Sequence, residues 1–189
     1  MSDLLRTFIA LKINPEPPLL LKLKELKNEL AGEPVKWVDE NNLHLTLKFL
    51  GDTTLHQVDD LKAILKKISA RSNAFSFRLK GLAFFKNKGI PRVLFIGIEE
   101  GEALQQLAAE INLQLFALGF EKENRPFSPH LTLARLKFLK DKRNFYNAID
   151  KYRDTDIQSI VIHEIILYQS ILKPTGPIYK PLEIFRLEG

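Results

Sequence analysis

His44-Leu45-Thr46-Leu47 and His130-Leu131-Thr132-Leu133 are the same four residues in the same order, 86 positions apart in a chain of 189. That spacing is close to half the chain, so a duplicated lobe with one such segment per half is the natural explanation. Both segments are predicted strands, in which side chains alternate faces with period two. His44 and Thr46 then share one face while Leu45 and Leu47 enter the core. His130 and Thr132 stand in the same relation to Leu131 and Leu133. Each strand offers an imidazole and a hydroxyl about 6.7 Å apart along the chain. Two such strands meeting at a pseudo-twofold axis build a cleft floored by two histidines and two threonines.

That set of groups has a definite chemistry. An imidazole titrates near pH 6.5, so one of a pair can be neutral while the other is protonated. One takes a proton from water and the other gives one to a leaving oxygen, each role being worth about 10²–10⁴ in rate. Threonine hydroxyls donate to phosphoryl oxygens where charge develops. In-line displacement at a phosphodiester uses all four groups and no metal.

Working outward, the spacing predicts strand 4–13, a proline-opened helix 17–31 that stops at Gly32, a short strand 35–38 and strand 43–50. Thr53 or Thr54 caps a helix at 55–70. Strands follow at 75–84 and 92–98 around a turn at 86–91, and then a helix runs from Gly101 to about Gly119. After a loop framed by Pro126 and Pro129 come strand 130–137, a short helix 143–151, strand 157–168 and a last strand 178–187. Amphipathic helices among antiparallel-compatible strands indicate an α+β fold.

Composition narrows the class. Hydrophobic residues at 45% and charged residues at 27% fit a globular protein and exclude wholesale disorder. No apolar run reaches the length of a spanning helix, and Lys12 cuts the short apolar run that a secretory leader would need. With no cysteine there is no disulfide, thiolate metal site or thiol nucleophile. These features predict a cytoplasmic protein. The net charge of +5 is uneven, residues 1–94 carrying sixteen Lys/Arg against ten Asp/Glu. A basic half suits an anionic partner such as RNA or a nucleotide phosphate, and equally a solvated, solubilising surface.

With these motifs the chain resembles the two-histidine (2H) phosphoesterase superfamily, and within it the RNA 2′,3′-cyclic phosphodiesterases, also called 2′-5′ RNA ligases. The likeness runs through Arg6-Thr7-Phe8-Ile9-Ala10, Asn42-Leu43-His44, Lys48-Phe49-Leu50-Gly51 and Pro91-Arg92-Val93-Leu94. It continues through Phe127-Ser128-Pro129-His130, Ala134-Arg135, Leu167-Tyr168-Gln169-Ser170 and Gly176-Pro177. It implies one domain over 1–189 with two pseudo-symmetric lobes, each an antiparallel sheet backed by helices, and an active-site groove between them. It also implies hydrolysis of terminal 2′,3′-cyclic phosphates to 2′-phosphomonoesters, with no cofactor. By the same analogy His44 protonates the departing 3′ oxygen, His130 activates water, Arg135 contacts phosphate and Phe49 stacks on a base. The expected partners are RNA ends, tRNA half-molecules included, or cyclic nucleotides, with no membrane; the expected state is a monomer. Strand parity opposes two of these roles. Phe49 and Arg135 lie an odd number of residues from their histidines, so a regular strand turns both away from the cleft; for Phe49, an end or bulge of the strand near Gly51 would undo this.

Two rival readings use the same groove. Ligation replaces water by a 5′ hydroxyl and needs no ATP, whereas a binding module would hold RNA or a nucleotide without turnover. His163-Glu164 looks like the start of a zinc-protease helix but lacks the second histidine, and it falls in a predicted strand. His56 is expected at the surface. Trp37 belongs either to the core or to a groove wall. Lys80, Lys86, Lys88 and Arg92 form a basic run that reads as a solvated hairpin or as an RNA track.

Overall fold

Both repeated segments open strands in the computed structural model, which describes residues 4–122, 126–174 and 176–189. In chain order the elements are β1 (Leu5–Lys12), α1 (Pro17–Glu29), β2 (Val35–Trp37), β3 (His44–Thr53), α2 (Leu55–Ser69), β4 (Phe75–Asn87) and β5 (Ile90–Glu99). They continue with α3 (Glu102–Ala117), β6 (His130–Leu136), α4 (Lys142–Lys151), β7 (Asp156–Ile162), β8 (Glu164–Lys173) and β9 (Gly176–Arg186). The fold is α+β, with two antiparallel sheets ordered β3-β1-β8-β9 and β2-β6-β5-β4-β7.

Local chemistry sets the helices. Pro17 and Pro18 open α1 where a missing N–H costs nothing, and Leu19, Leu23 and Leu26 bury its inner face. Thr54, rather than Thr53, caps α2, in a reciprocal box with Gln57. Thr53 is instead fully buried, its hydroxyl 2.6 Å from that of Thr7. One continuous core joins the helices to the backs of both sheets, from Leu11 and Leu45 to Leu131 and Ile160.

Two expectations are corrected. The predicted strand 157–168 is two strands, β7 in the five-stranded sheet and β8 in the four-stranded one, with the chain changing sheets at His163. The break falls at the polar pair His163-Glu164, between apolar stretches that each pack inward on a different sheet. The predicted turn at 86–91 shrinks to Lys88-Gly89, whose positive φ values of 50° and 78° suit a two-residue hairpin. The first sheet draws β1 and β3 from the front of the chain and β8 and β9 from its end, while the strands β4 to β7 follow one another along the chain. No helix among the described residues is long and apolar enough to cross a membrane.

Candidate active site

Pairing along the two motif strands settles the parity question. On β3, Thr46 pairs with Ala10 and Lys48 with Ile9, which leaves Leu47 without a partner. On β6, Thr132 pairs with Phe95 and Ala134 with Leu94, which leaves Leu133 over. Each motif therefore ends in a β-bulge at the same position, and a bulge reverses the alternation beyond it. Leu47 and Lys48 are both buried while Phe49 is 69% exposed; Leu133 and Ala134 are both buried while Arg135 is exposed. Phe49 and Arg135 thus return to the face of their histidines. The irregularity that decides this is at Leu47 and Leu133; a second bulge, at Leu50, comes after Phe49.

The histidines are built alike. His44 Nδ1 lies 2.7 Å from the Asn42 carbonyl oxygen, and His130 Nδ1 lies 2.7 Å from that of Ser128. A carbonyl only accepts, so Nδ1 carries the hydrogen in both rings and Nε2 is left to exchange protons. A short 3₁₀ turn over Glu40–Asn42, capped by Asp39, presents the first carbonyl. Aromatic rings flank each imidazole. Phe8 and Tyr179 have centroids 5.2 and 5.1 Å from His44, and Phe85 and Phe95 lie 4.8 and 5.2 Å from His130. Gly97 pairs with His130, and a Cβ there would come within 2.9 Å of the Lys80 carbonyl oxygen.

Electrostatics ties the two sides together. Burial holds the His44 imidazole below its usual 6.5; the Asn42 hydrogen bond opposes this, and the charge of His130 adds to the depression. Burial raises Tyr179, and the Arg135 guanidinium opposes that rise from the other sheet. The Arg135 charge is thus felt at the ring that packs on His44. Phe49 lies 6.1 Å from Phe8, which belongs to a separate cluster with Ala10, Ile166, Tyr168 and Tyr179 on the groove face of the first sheet. Neither the Thr46 nor the Thr132 hydroxyl has a hydrogen-bond partner among the described residues, unlike the paired Thr7 and Thr53. Two proton carriers, two available hydroxyls and a guanidinium suit an anionic phosphoryl centre.

Sequence reasoning passed over Lys48. The bulge turns it inward, where its ammonium donates to Asn112 Oδ1 at 2.8 Å and to the Glu121 carbonyl at 2.9 Å. It thereby ties the first motif strand to α3 and to the segment leading into the second motif. A lysine two residues past Thr46 carries no local signal of this. His56 is exposed and 3.0 Å from Asp60, Lys80 pairs with Glu99, and Trp37 is half-buried against the main core.

Comparison with known proteins divides the chain at the same repeat. Residues 11–95 and 96–179 each match the model for a LigT like Phosphoesterase, one match per motif. The chain is 34% identical over 191 residues to an RNA 2′,3′-cyclic phosphodiesterase of Thermotoga maritima, covering 98% of this chain and 97% of that protein. It superposes on a crystal structure of a Thermus thermophilus protein with a TM-score of 0.78 at 29% identity, covering 97% and 98% of the two chains. Escherichia coli LigT, crystallised with NADP+, gives a TM-score of 0.71 at 25% identity over 99% of this chain and all of that one.

Proposed function

The chain belongs to the LigT-like phosphoesterase family, and on that premise we propose that it hydrolyses the terminal 2′,3′-cyclic phosphate of RNA to a 2′-phosphomonoester. The observation that carries this reading is the matched pair of imidazoles, each fixed through Nδ1 to a carbonyl two residues earlier and each beside a threonine hydroxyl without a partner among the described residues. The relatives named as RNA 2′,3′-cyclic phosphodiesterases support the choice of ester.

In the forward step His130 Nε2 takes a proton from water as its oxygen bonds to phosphorus. The phosphorus–O3′ bond breaks, and His44 Nε2 delivers its proton to O3′. The products are a 3′ hydroxyl and a 2′-phosphate, and no metal takes part. Thr46 and Thr132 hold the non-bridging oxygens of the cyclic phosphate, Arg135 contacts phosphate, and Phe49 offers a face for the terminal base. His44 is kept neutral by burial in the free protein, so its charging accompanies arrival of the phosphate anion.

The test is an oligoribonucleotide ending in a 2′,3′-cyclic phosphate, incubated in chelator and followed by phosphorus NMR. A 2′-phosphate from the wild type and none from His44→Ala or His130→Ala is the expected result. Turnover that vanishes in chelator, or that survives both substitutions, rejects the mechanism.

A further inference from the structure

The short strand β2 brings Lys36 directly opposite Arg135 on β6. Paired residues on neighbouring antiparallel strands have Cα atoms about 4.5–5.5 Å apart and share a face. Val35 and Trp37, on either side of Lys36, pack against the main core, so Lys36 lies on the other face, with Arg135, Thr132 and His130. Both cations are exposed. Like charges directly opposite destabilise a sheet, and among the described residues neither has a carboxylate partner.

The acids closest to Lys36 in sequence are engaged elsewhere. Glu33 accepts the backbone N–H groups of Lys140 and Asp141, both at 2.7 Å. Asp39 caps its own turn and Glu40 pairs with Lys27. Nearby, Arg92 adds positive charge by donating to the Lys137 carbonyl at the end of β6. The protein thus keeps an uncompensated pair of cations in the groove, about 7 Å along β6 from Thr132, because the partners Phe95 and Val93 are only two residues apart across the bulge; that is the scale of one nucleotide's backbone step.

We infer that Lys36 and Arg135 together bind the phosphodiester on the 5′ side of the terminal nucleoside, making the groove a reader of oligonucleotide ends rather than of cyclic mononucleotides. An anion between the two side chains removes their mutual repulsion, and a polynucleotide leaving the catalytic strand supplies one at that distance. Only the identity of the terminal ester rests on the cyclic phosphodiesterase reading.

The experiment has a kinetic and a binding arm. The first compares kcat/KM for a diadenylate ending in a 2′,3′-cyclic phosphate with that for 2′,3′-cyclic AMP, in wild type, Lys36→Gln and Lys36→Arg. Lys36→Gln should lower the ratio of the two about three- to fivefold at low salt, and Lys36→Arg should restore it. The second measures equilibrium binding of a diadenylate with a linear 3′-phosphate against 3′-AMP, which needs no turnover. There the same variant should weaken the dinucleotide selectively and reduce its salt slope by about one. Equal losses on both lengths, or no loss on either, overturn the inference. A wild type that turns over neither ester but shows the Lys36-dependent binding step rejects the phosphodiesterase reading and leaves this one standing.

Discussion

His44 and His130 make the same hydrogen bond at the same length, Nδ1 to the carbonyl oxygen two residues earlier at 2.7 Å, from strands in two different sheets. The bond fixes one tautomer in both rings and leaves equivalent nitrogens to share the proton traffic. His→Asn at either position keeps a donor near the Nδ1 site and removes the titrating nitrogen. Each variant should lose about 10²–10⁴ in kcat with its fold intact, and the double variant little more, because the pair acts as a unit. Single-turnover assays beside circular dichroism check this; strictly additive losses count against a coupled pair.

Burial of His44 sets a pH dependence. The unfolded chain takes up the His44 proton near 6.5 and the folded chain takes it up lower. Stability is therefore insensitive to this group above pH 6.5 and is lost as pH falls from 6.5 through the depressed folded value. His44→Gln removes that contribution, so its melting temperature should gain on that of the wild type as the solution is acidified over this interval. Because His44 acts as the acid, the alkaline limb of kcat/KM is the one its titration sets, and that limb should begin below pH 6.5. An imidazole NMR titration placing His44 at or above 6.5 contradicts both expectations.

Thr46 and Thr132 have hydroxyls with no structural employment among the described residues. Thr→Val at either site should leave thermal stability within about 1 kcal/mol, since neither side chain is fully buried. Loss of a donor to the developing phosphoryl charge should nevertheless lower kcat by about 10–10³, with Thr→Ser recovering most of it. A drop confined to KM would place these hydroxyls in ground-state binding only.

Phe49 is 69% exposed, so Phe49→Ala should shift stability by only about 0.5 kcal/mol. If its ring stacks on a base, the variant raises KM severalfold for RNA ends while Phe49→Trp keeps it low. Steady-state kinetics on purine and pyrimidine termini read this directly. Equal parameters for Phe49→Ala and wild type remove the ring from substrate binding.

Lys48 carries a structural load beside the site. Lys48→Met leaves the Asn112 and Glu121 oxygens without this donor, at a cost of about 1–3 kcal/mol each, offset in part by relief of a buried charge. The variant should melt lower and show reduced kcat, because the strand carrying His44 loses its tie to the segment preceding His130. Urea denaturation and kinetics on the same preparation test the link; lower stability with unaltered kcat would break it.

The helices and most strands were legible because their signals are local: prolines at α1, the Thr54 box at α2, dense apolar residues on β1. His44, Thr46, His130 and Thr132 stood out as candidates because the motif occurs twice. The orientation of Phe49 and Arg135 was not, since nothing in His-Leu-Thr-Leu announces a bulge at its last leucine; the extra residue exists only relative to β1 and β5 across the sheet. The break at His163 was hidden for a related reason. Apolar residues lie on both sides of His163-Glu164, and the change of sheets there depends on β7 pairing with β4 and β8 with β1, which the segment's own sequence does not announce.

The interleaving of the first sheet bears on how the molecule is made. A nascent chain can pair β4, β5, β6 and β7 as soon as residue 162 has emerged, because these strands are consecutive. The Phe8 and Ala10 face of β1 must wait for Ile166 and Tyr168 of β8, which emerge after every strand of the other sheet. Until then β1 and β3 form only a two-stranded ribbon, marginal by itself in water. The pocket around His44 is consequently completed only once β8 and β9 have joined β1, after the strands of the other sheet are already available to pair.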